Sequence, residues 1–533
     1  MTCEHLLLPL AIAVPFLAGL LLVCGSGLST RVSHAIAWTG FFLPAAAAYY
    51  AWFIFSGQNG IAVSPYLFFD DFNTGLGRFG ISLTLGLNGV SLPLFVLAGT
   101  VGLAAGGYAM YSKVDRPNAY LGLLLFMVSG LMGVFASVNI FYFYFFHEFA
   151  LIPTFILIGW WGGPGGRSAA MEMTIYLTLG AMLSLVGLIA LDMVSDAPSF
   201  SLVDLGHWLA DNGLGAHAQY KIYALLLFGF GILVSLWPFH SWAPTGYAAA
   251  PAPAAMLHAG VLKKFGLYGL LQIAVPLLPL GAAHWGNTLA WLALGNLLII
   301  GAVTIAQRDL KVMVGYSSVM HMGYVFLGIV CVSALGAGGA VVLMFAHGLS
   351  VAVLFLLGDA IYNRTHTYDL NSMGGLCQKA PLLSGFFLAA TLASLGLPGF
   401  ANFWGEFTIF IALWQYHPWM VAAAALGVII SAIYGLRAVS KVFFGAPTPA
   451  FLPLFNQPLP DIRLHERLPA ILLLGVLMFV GFWPAAITRG INAALPSIYG
   501  SQTAPVIAQD SPSCCDPLPA VASAPAKPAP IAH

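Results

Sequence analysis

Apolar runs of spanning length follow one another along almost the whole chain, separated only by short polar breaks. A helix that crosses the hydrocarbon layer needs about 20 mostly apolar residues. Only helices and closed barrels can cross, because lipid offers no partner to backbone polar groups. The runs are long, and the short alternating segments of a barrel are absent. The chain therefore reads as an all-α integral membrane protein. The expected spans are approximately 5–26, 33–56, 87–111, 119–137, 139–161, 170–192, 220–242, 254–276, 286–306, 311–332, 338–361, 381–415, 418–442 and 467–488. They make about fourteen transmembrane helices, with ends placed to about 2–4 residues.

The charge census agrees. The 533 residues hold 18 Lys and Arg against 18 Asp and Glu, 7% charged and 60% hydrophobic. A soluble domain carries about 25% charged residues, and so few charges cannot cover a soluble surface. A soluble enzyme, a nucleic-acid binder and a disordered chain are excluded. Six cysteines (Cys3, Cys24, Cys331, Cys377, Cys514, Cys515) form no CxxC pair and have no His at metal-ligand spacing. The expectation is no cofactor or metal in this chain, with Cys514 and Cys515 as free thiols. The first segment has no basic start and no small-residue cleavage site, so it reads as a retained helix.

The few basic residues mark topology. With the N-terminus outside, alternate breaks place Arg31, Lys113, Arg116, Arg167, Arg308, Lys311, Arg364, Lys379, Arg437, Lys441, Arg463 and Arg467 inside. Arg78, Lys221, Arg489 and Lys527 fall outside, and Lys263 and Lys264 fall within a span. That asymmetry is the positive-inside pattern. Acidic residues Asp70, Asp71, Asp196, Asp204 and Asp211 lie in the outside loops 57–86 and 193–219. Asp309 and Lys311 read as a cap and anchor at the inside surface, and Asp192 and Asp359 as interfacial. The tail from about Ser501 is rich in Ala and Pro and reads as disordered.

Two spans carry helix breakers. The seventh runs into Trp237-Pro238-Phe239-His240 and a Pro/Gly/Ala-rich stretch, and the twelfth holds Leu397-Pro398-Gly399 in its middle. Both are expected to be broken helices, which membranes tolerate where the freed backbone faces protein or water, often at transport sites.

Ionisable side chains at mid-span are costly, by about 2.5 kcal/mol or more on insertion scales, and are functional candidates by default. Glu148 lies in FFHEFALIP, Lys264 in HAGVLKKFGLYG, His321 in YSSVMHMGY, His347 in FAHGLS and Glu406 in LPGFANFWGEF. Lys263, His240 and His258 are secondary candidates. A lone buried His is more often a hydrogen-bonded packing residue, and Lys263 could turn away from Lys264 and pair locally. A lone mid-span Glu or Lys has fewer bland explanations. If the inner helix faces converge, the acids, amines and imidazoles form a buried line along which protons could hop through water.

These segments resemble the antiporter-like membrane subunits of respiratory complex I. The carriers are FFHEFALIPTFILIGWWG, WPFHSWAP, HAGVLKKFGLYGLL, QRDLKVMVGYSSVMHMGYV, FAHGLSVAVLFLLGDAIYNRTHTYDL, MGGL and ASLGLPGFANFWGEF, over about residues 85–445. Glu406, where sister subunits usually carry Lys, favours the M branch, the counterpart of mitochondrial chain 4. The resemblance implies two inverted five-helix repeats. The implied domains are 1–118 (three helices), 119–276 (first repeat), 277–445 (second repeat), 446–500 (loop and fourteenth helix) and 501–533 (tail). It implies a proton pathway through Glu148, Lys264, His321, His347 and Glu406. It implies a subunit of a proton-translocating NADH–quinone oxidoreductase that does no redox chemistry itself. Flavin, iron–sulfur clusters and quinone would sit in partner subunits. Other membrane subunits, including sister antiporter-like ones, would be partners, in a bacterial inner membrane with both termini outside.

Three departures stand out. The family's seventh-helix Lys is replaced at or near Leu233, and Ile222–Leu236 contains no charge. Asn88 stands where the family usually has Asp, and Lys263 adds a second amine. Either Lys263 or His240 substitutes for the missing Lys, or the chain pumps poorly and serves as a scaffold. The presence of Glu148, Lys264 and Glu406 favours an altered but working pathway. The rival from another class is a subunit of a multi-subunit cation/proton antiporter.

Overall fold

The computed structural model describes residues 3–25, 27–57 and 66–499. The chain begins with α1 (Leu7–Cys24) and α2 (Thr30–Gly57), then a hairpin of β1 (Leu67–Phe72) and β2 (Leu83–Leu87). Next come α3 (Ser91–Ala109), α4 (Pro117–Ala136), α5 (Ile140–Trp161), α6 (Gly166–Ser195), α7 (Leu202–Asn212), α8 (Ala216–Val234) and α9 (Trp242–Ala249). The eighth expected span is segmented into α10 (Ala252–Leu257), α11 (Lys264–Gly269) and α12 (Val275–Leu277), with π turns His258–Leu262 and Leu270–Ala274 between them. The ninth is α13 (Pro279–Leu294), a π turn Gly295–Ile300 and α14 (Gly301–Ala306). The rest is α15 (Leu310–Val330), α16 (Ala334–Thr365), α17 (Pro381–Ser394), α18 (Ala401–Tyr416), α19 (Pro418–Phe443), α20 (Leu452–Phe455), α21 (Leu464–Phe482) and α22 (Ala485–Tyr499).

Eleven helices among the described residues are long and apolar enough to cross a membrane. The other three expected spans coincide with α2, with the segmented stretch from Ala252 to Leu277, and with the α17–α18 pair. Both expected breaks are present: α8 ends at Val234 before α9 begins at Trp242, and α17 ends at Ser394 before α18 begins at Ala401.

Local chemistry sets the ends. Asn139 accepts the Phe141 N–H, Ser201 the Val203 N–H, and Asp309 the N–H groups of Lys311 and Val312. Each satisfies donors that a helix start leaves unpaired. Pro117, Pro381 and Pro418 open their helices, where the missing N–H costs nothing. Buried Asn88 accepts from Val90 and Ser91 N–H groups, so it caps the start of α3 rather than carrying charge.

The apolar α16 is buried along its spanning length and packs against α3, α15, α17, α18 and α21. A helix that is hydrophobic all round belongs at the centre of a bundle.

Several features depart from the sequence expectations. The 57–86 loop contains an antiparallel hairpin, with Leu67 opposite Leu87 and Phe72 opposite Leu83. Its second strand also pairs with the sharp α4–α5 turn: the Val138 N–H donates to Thr84 O, 2.9 Å. The 193–219 loop holds α7, which buries Leu202 and Leu205, an i, i+3 apolar spacing. Lys311 is not a surface anchor. It is 8% exposed, and its Nζ donates to Ala250 O at 2.5 Å, at the end of α9. Asp359, near the end of α16, accepts from the Tyr108 and Tyr368 hydroxyls at 2.5 and 3.3 Å. In the loop after α16, the Ser372 hydroxyl and the Asn371 N–H hold the Asp369 carboxyl below the usual carboxylate range. The Ala/Pro-rich tail, with Cys514 and Cys515, lies outside the described residues.

Candidate functional site

The π turn His258–Leu262 ends one residue before Lys263. A π turn inserts an extra residue into the helical frame and often accompanies functional sites. Here the two adjacent lysines take different partners. Lys263 Nζ donates to Ser318 O and Ser318 Oγ on α15, at 3.2 and 2.9 Å, and lies 5.5 Å from the Tyr247 ring centre. Lys263 thus pairs with the tenth span and not locally. Lys264 Nζ donates to Ala259 O at 2.7 Å and stands 3.0 Å from His347 Nδ1 on α16. Both amines are buried.

From Lys264 the polar groups continue to a second histidine. The His347 and His321 rings have centroids 5.8 Å apart. His321 Nδ1 faces Ser317 O at 2.8 Å, and Nε2 faces Ser394 O at 3.0 Å. Carbonyl oxygens only accept, so a neutral imidazole satisfies one of these contacts and a protonated ring both. Ser394 is the last residue of α17, so His321 docks on the broken twelfth span. Gly396 lies in the break with φ +72°, and a Cβ there would stand 2.3 Å from Glu406 Oε2. The break therefore needs glycine twice over, for its left-handed backbone and for the carboxylate against it. Lys264, His347 and His321 follow one another through α11, α16 and α15, and His321 meets the α17–α18 break against which Glu406 of α18 packs.

Glu148 stands apart. Its side chain is 35% exposed, beside exposed Phe145 and Ile152 on α5. Its one ion-pair partner among the described residues is His147, with Nδ1 3.9 Å from Oε1. Lys263 does not reach it. His240 lies at the α8–α9 break with Nδ1 3.1 Å from Pro238 O, on its own backbone. Leu233 is 3% exposed in the core. His258 is buried, with its ring 5.6 Å from Trp242 and 5.2 Å from Tyr247.

Two polar residues escaped the sequence reading. Asn296 Nδ2 donates to Ser235 O and Val319 O at 3.1 and 2.9 Å, and Oδ1 accepts the Trp237 N–H at 2.7 Å. It satisfies the freed backbone at the α8 break. An uncharged Asn in an apolar run gives little signal. Glu172 on α6 accepts from Ser241 Oγ and Thr245 Oγ1 at 2.8 and 3.1 Å. Its charge inside the expected sixth span was a usable signal.

This arrangement can store and pass protons: one acid, two amines and several imidazoles lie in a low-dielectric interior, where each can change protonation state. The family described as NADH:quinone oxidoreductase/Mrp antiporter, transmembrane, matches residues 137–433. A Synechococcus NAD(P)H-quinone oxidoreductase chain 4 is 34% identical over 419 residues, 77% of this chain and 78% of that relative. The Escherichia coli NADH-quinone oxidoreductase subunit M is 30% identical over 504 residues, 92% of this chain and 97% of that one. A chain of respiratory complex I from Thermus thermophilus, solved with bound NADH, has a TM-score of 0.80 at 28% identity, covering 92% of this chain and 99% of that chain. With the match to the family over more than half its length, and relatives of this kind along most of the rest, the chain belongs to the NADH:quinone oxidoreductase/Mrp antiporter family of membrane subunits.

Proposed function

We propose that this chain is a proton-translocating subunit of a complex I-type quinone oxidoreductase, working as an M-type (chain 4) subunit. The observation that carries the proposal is the buried run from Lys264 through His347 to His321, which meets the α17–α18 break where Glu406 packs. Lys264 is the switchable centre, since an amine held in an apolar interior gains or loses a proton readily. His347 and His321 bridge to the broken twelfth span, and Glu406 hands the proton toward the outside. Glu148 exchanges protons with the inside or with a neighbouring subunit. Its half-exposed position on α5 suits a group that faces a partner.

The chain itself does no redox chemistry in this reading. Flavin, iron–sulfur clusters and quinone are held by partner subunits, and sister antiporter-like subunits are its membrane neighbours. It sits in a bacterial inner membrane with both termini outside, as the Lys/Arg distribution favours. Spans four to eight and nine to thirteen form two inverted repeats. The breaks support this, since each falls in the fourth helix of its set of five.

The test is proton pumping by the assembled complex in membrane vesicles. Lys264→Ala and Glu406→Gln should each slow pumping by at least about tenfold while the complex still assembles. Undiminished pumping in both would make the chain a scaffold. Co-purification with flavin and iron–sulfur subunits separates this reading from a cation/proton antiporter, which needs no redox partner.

A further inference from the structure

Glu148 and the lysine pair are not in contact, and no Lys or Arg stands within 4.0 Å of Glu148 among the described residues. The gap between them is not apolar. Glu148 Oε1, His147 Nδ1, His258 Nδ1 and the Tyr247 hydroxyl are all buried, and none has a hydrogen-bond partner within 3.5 Å among the described residues; the Tyr144 hydroxyl, likewise buried, faces the Glu148 carboxyl. Buried polar groups are nearly always paired with protein or ordered water. Four such atoms on α5, α9 and the π turn His258–Leu262 mark a polar seam, and α5 packs against that turn.

Packing contacts flank the seam on both sides. His147 Nδ1 is 3.9 Å from Glu148 Oε1. The His147 ring stacks on Phe265, at 3.7 Å between centroids, next in sequence to Lys264. The π turn that carries His258 packs against α5, which carries His147. The His258 ring packs edge-on against Tyr247, and Lys263 Nζ lies over that Tyr247 ring.

The level of the seam along the helices is also fixed. Phe143 on α5 and Phe230 on α8 have ring centroids 6.3 Å apart, and both pack on Phe265. α6 runs back between α5 and α8, so those two helices point the same way. About one turn on, α5 presents His147 and α8 presents Leu233. The imidazole stands at the depth where α8 offers only a hydrocarbon side chain.

We propose that His147 and His258 form an imidazole relay that carries protons between Glu148 and the Lys263–Lys264 pair. This deepens the function proposed above and rests on it. In the transfer, the protonated Glu148 carboxyl gives its proton to neutral His147 through water, leaving a carboxylate and an imidazolium. His147 passes a proton to neutral His258, and His258 passes one to a neutral lysine amine, which becomes ammonium. Each imidazole ends neutral, and the net movement is one proton from acid to amine. Lys263, held by Ser318 and lying over Tyr247, against which His258 packs, is the receiving amine, and Lys264 leads on to His347.

His147→Phe and His258→Phe keep the ring packing on Phe265 and Trp242 and remove the nitrogens. In vesicles of the whole complex, each should slow proton pumping by at least about tenfold. Adding Leu233→Lys to His147→Phe should restore most of it, because an amine returns to the same depth. A packing role would not be rescued by a charged amine, so failure of this rescue overturns the relay. Should a Phe variant not assemble, His147→Gln and His258→Gln are read the same way. Normal pumping in both His variants, with Lys264→Ala inactive, overturns the relay and leaves the proposed function standing. Normal pumping in the Lys264→Ala and Glu406→Gln variants overturns the proposed function itself.

Discussion

Lys264 Nζ lies 3.0 Å from His347 Nδ1, across 83 residues of sequence. Two glycines make the approach possible. A Cβ on Gly348 would stand 2.6 Å from Gly260 O and 2.6 Å from the Leu97 side chain, and one on Gly260 would stand 3.0 Å from Gly348 O. The π turn His258–Leu262 and α16 therefore meet backbone to backbone beside the Lys–His pair.

Gly348→Ala is expected to push these elements apart. Overpacking of this kind costs about 1–3 kcal/mol, and the Lys264–His347 contact would lengthen. The expected outcome is a complex that assembles with a lower melting temperature and pumps more slowly than it transfers electrons. Differential scanning fluorimetry and vesicle pumping assays check the two parts. Full pumping in a correctly assembled Gly348→Ala complex would show that the close approach is not needed for proton transfer.

A second prediction concerns stability away from the proton line. Arg364 on α16 and Glu466 on α21 form a buried pair, with Nη2 2.7 Å from Oε2 and side chains 2% and 1% exposed. Arg364 also donates to the Pro460 and Asp461 carbonyl oxygens, both at 2.8 Å. The Asp461 carboxylate accepts from the Leu382 and Leu383 N–H groups at 2.9 and 3.0 Å. The cluster ties the end of α16, the start of α17 and the start of α21 together. Removing one partner of a buried pair costs about 3–5 kcal/mol, whereas replacing both by apolar residues is often near neutral. Arg364→Met should therefore destabilise the chain strongly, and Arg364→Met with Glu466→Met much less. Thermal unfolding of the two variants measures the difference, and equal losses would deny that pairing is what matters.

These cases show what could be read before folding. The spans, both broken helices and the mid-span residues Glu148, Lys264, His321, His347 and Glu406 follow from hydropathy, Pro/Gly placement and the rarity of charge in apolar runs. Their partners do not. Nothing in the chain says that Lys263 turns to Ser318 while Lys264 turns to His347, because that depends on the π turn just before them. Arg364 reads from sequence as a topology marker, yet it is buried by a segment about a hundred residues on. Hairpin β1–β2 pairs its second strand with the α4–α5 turn, a partner that lies outside 57–86 and that no local pattern there names. Distance in the fold, rather than residue type, was the missing information.

The last prediction tests how a broken helix is held in an apolar bundle. Backbone groups freed by a break must find partners, since lipid supplies none. At the α8 break, one side chain supplies two of them: Asn296 accepts from the Trp237 N–H at 2.7 Å and donates to Ser235 O at 3.1 Å. A second donation, to Val319 O at 2.9 Å, fixes the break against α15, where Ser318 holds Lys263. Asn296→Leu is close in size but has no polar atoms. It would strand the Trp237 N–H and the Ser235 carbonyl, at about 1–3 kcal/mol for each unsatisfied group. It would also loosen the seat of Lys263. The expected result is lower thermal stability together with slower pumping, whereas Asn296→Gln should recover part of both by keeping an amide. An Asn296→Leu complex as stable and as active as the parent would mean that the break is held by packing alone.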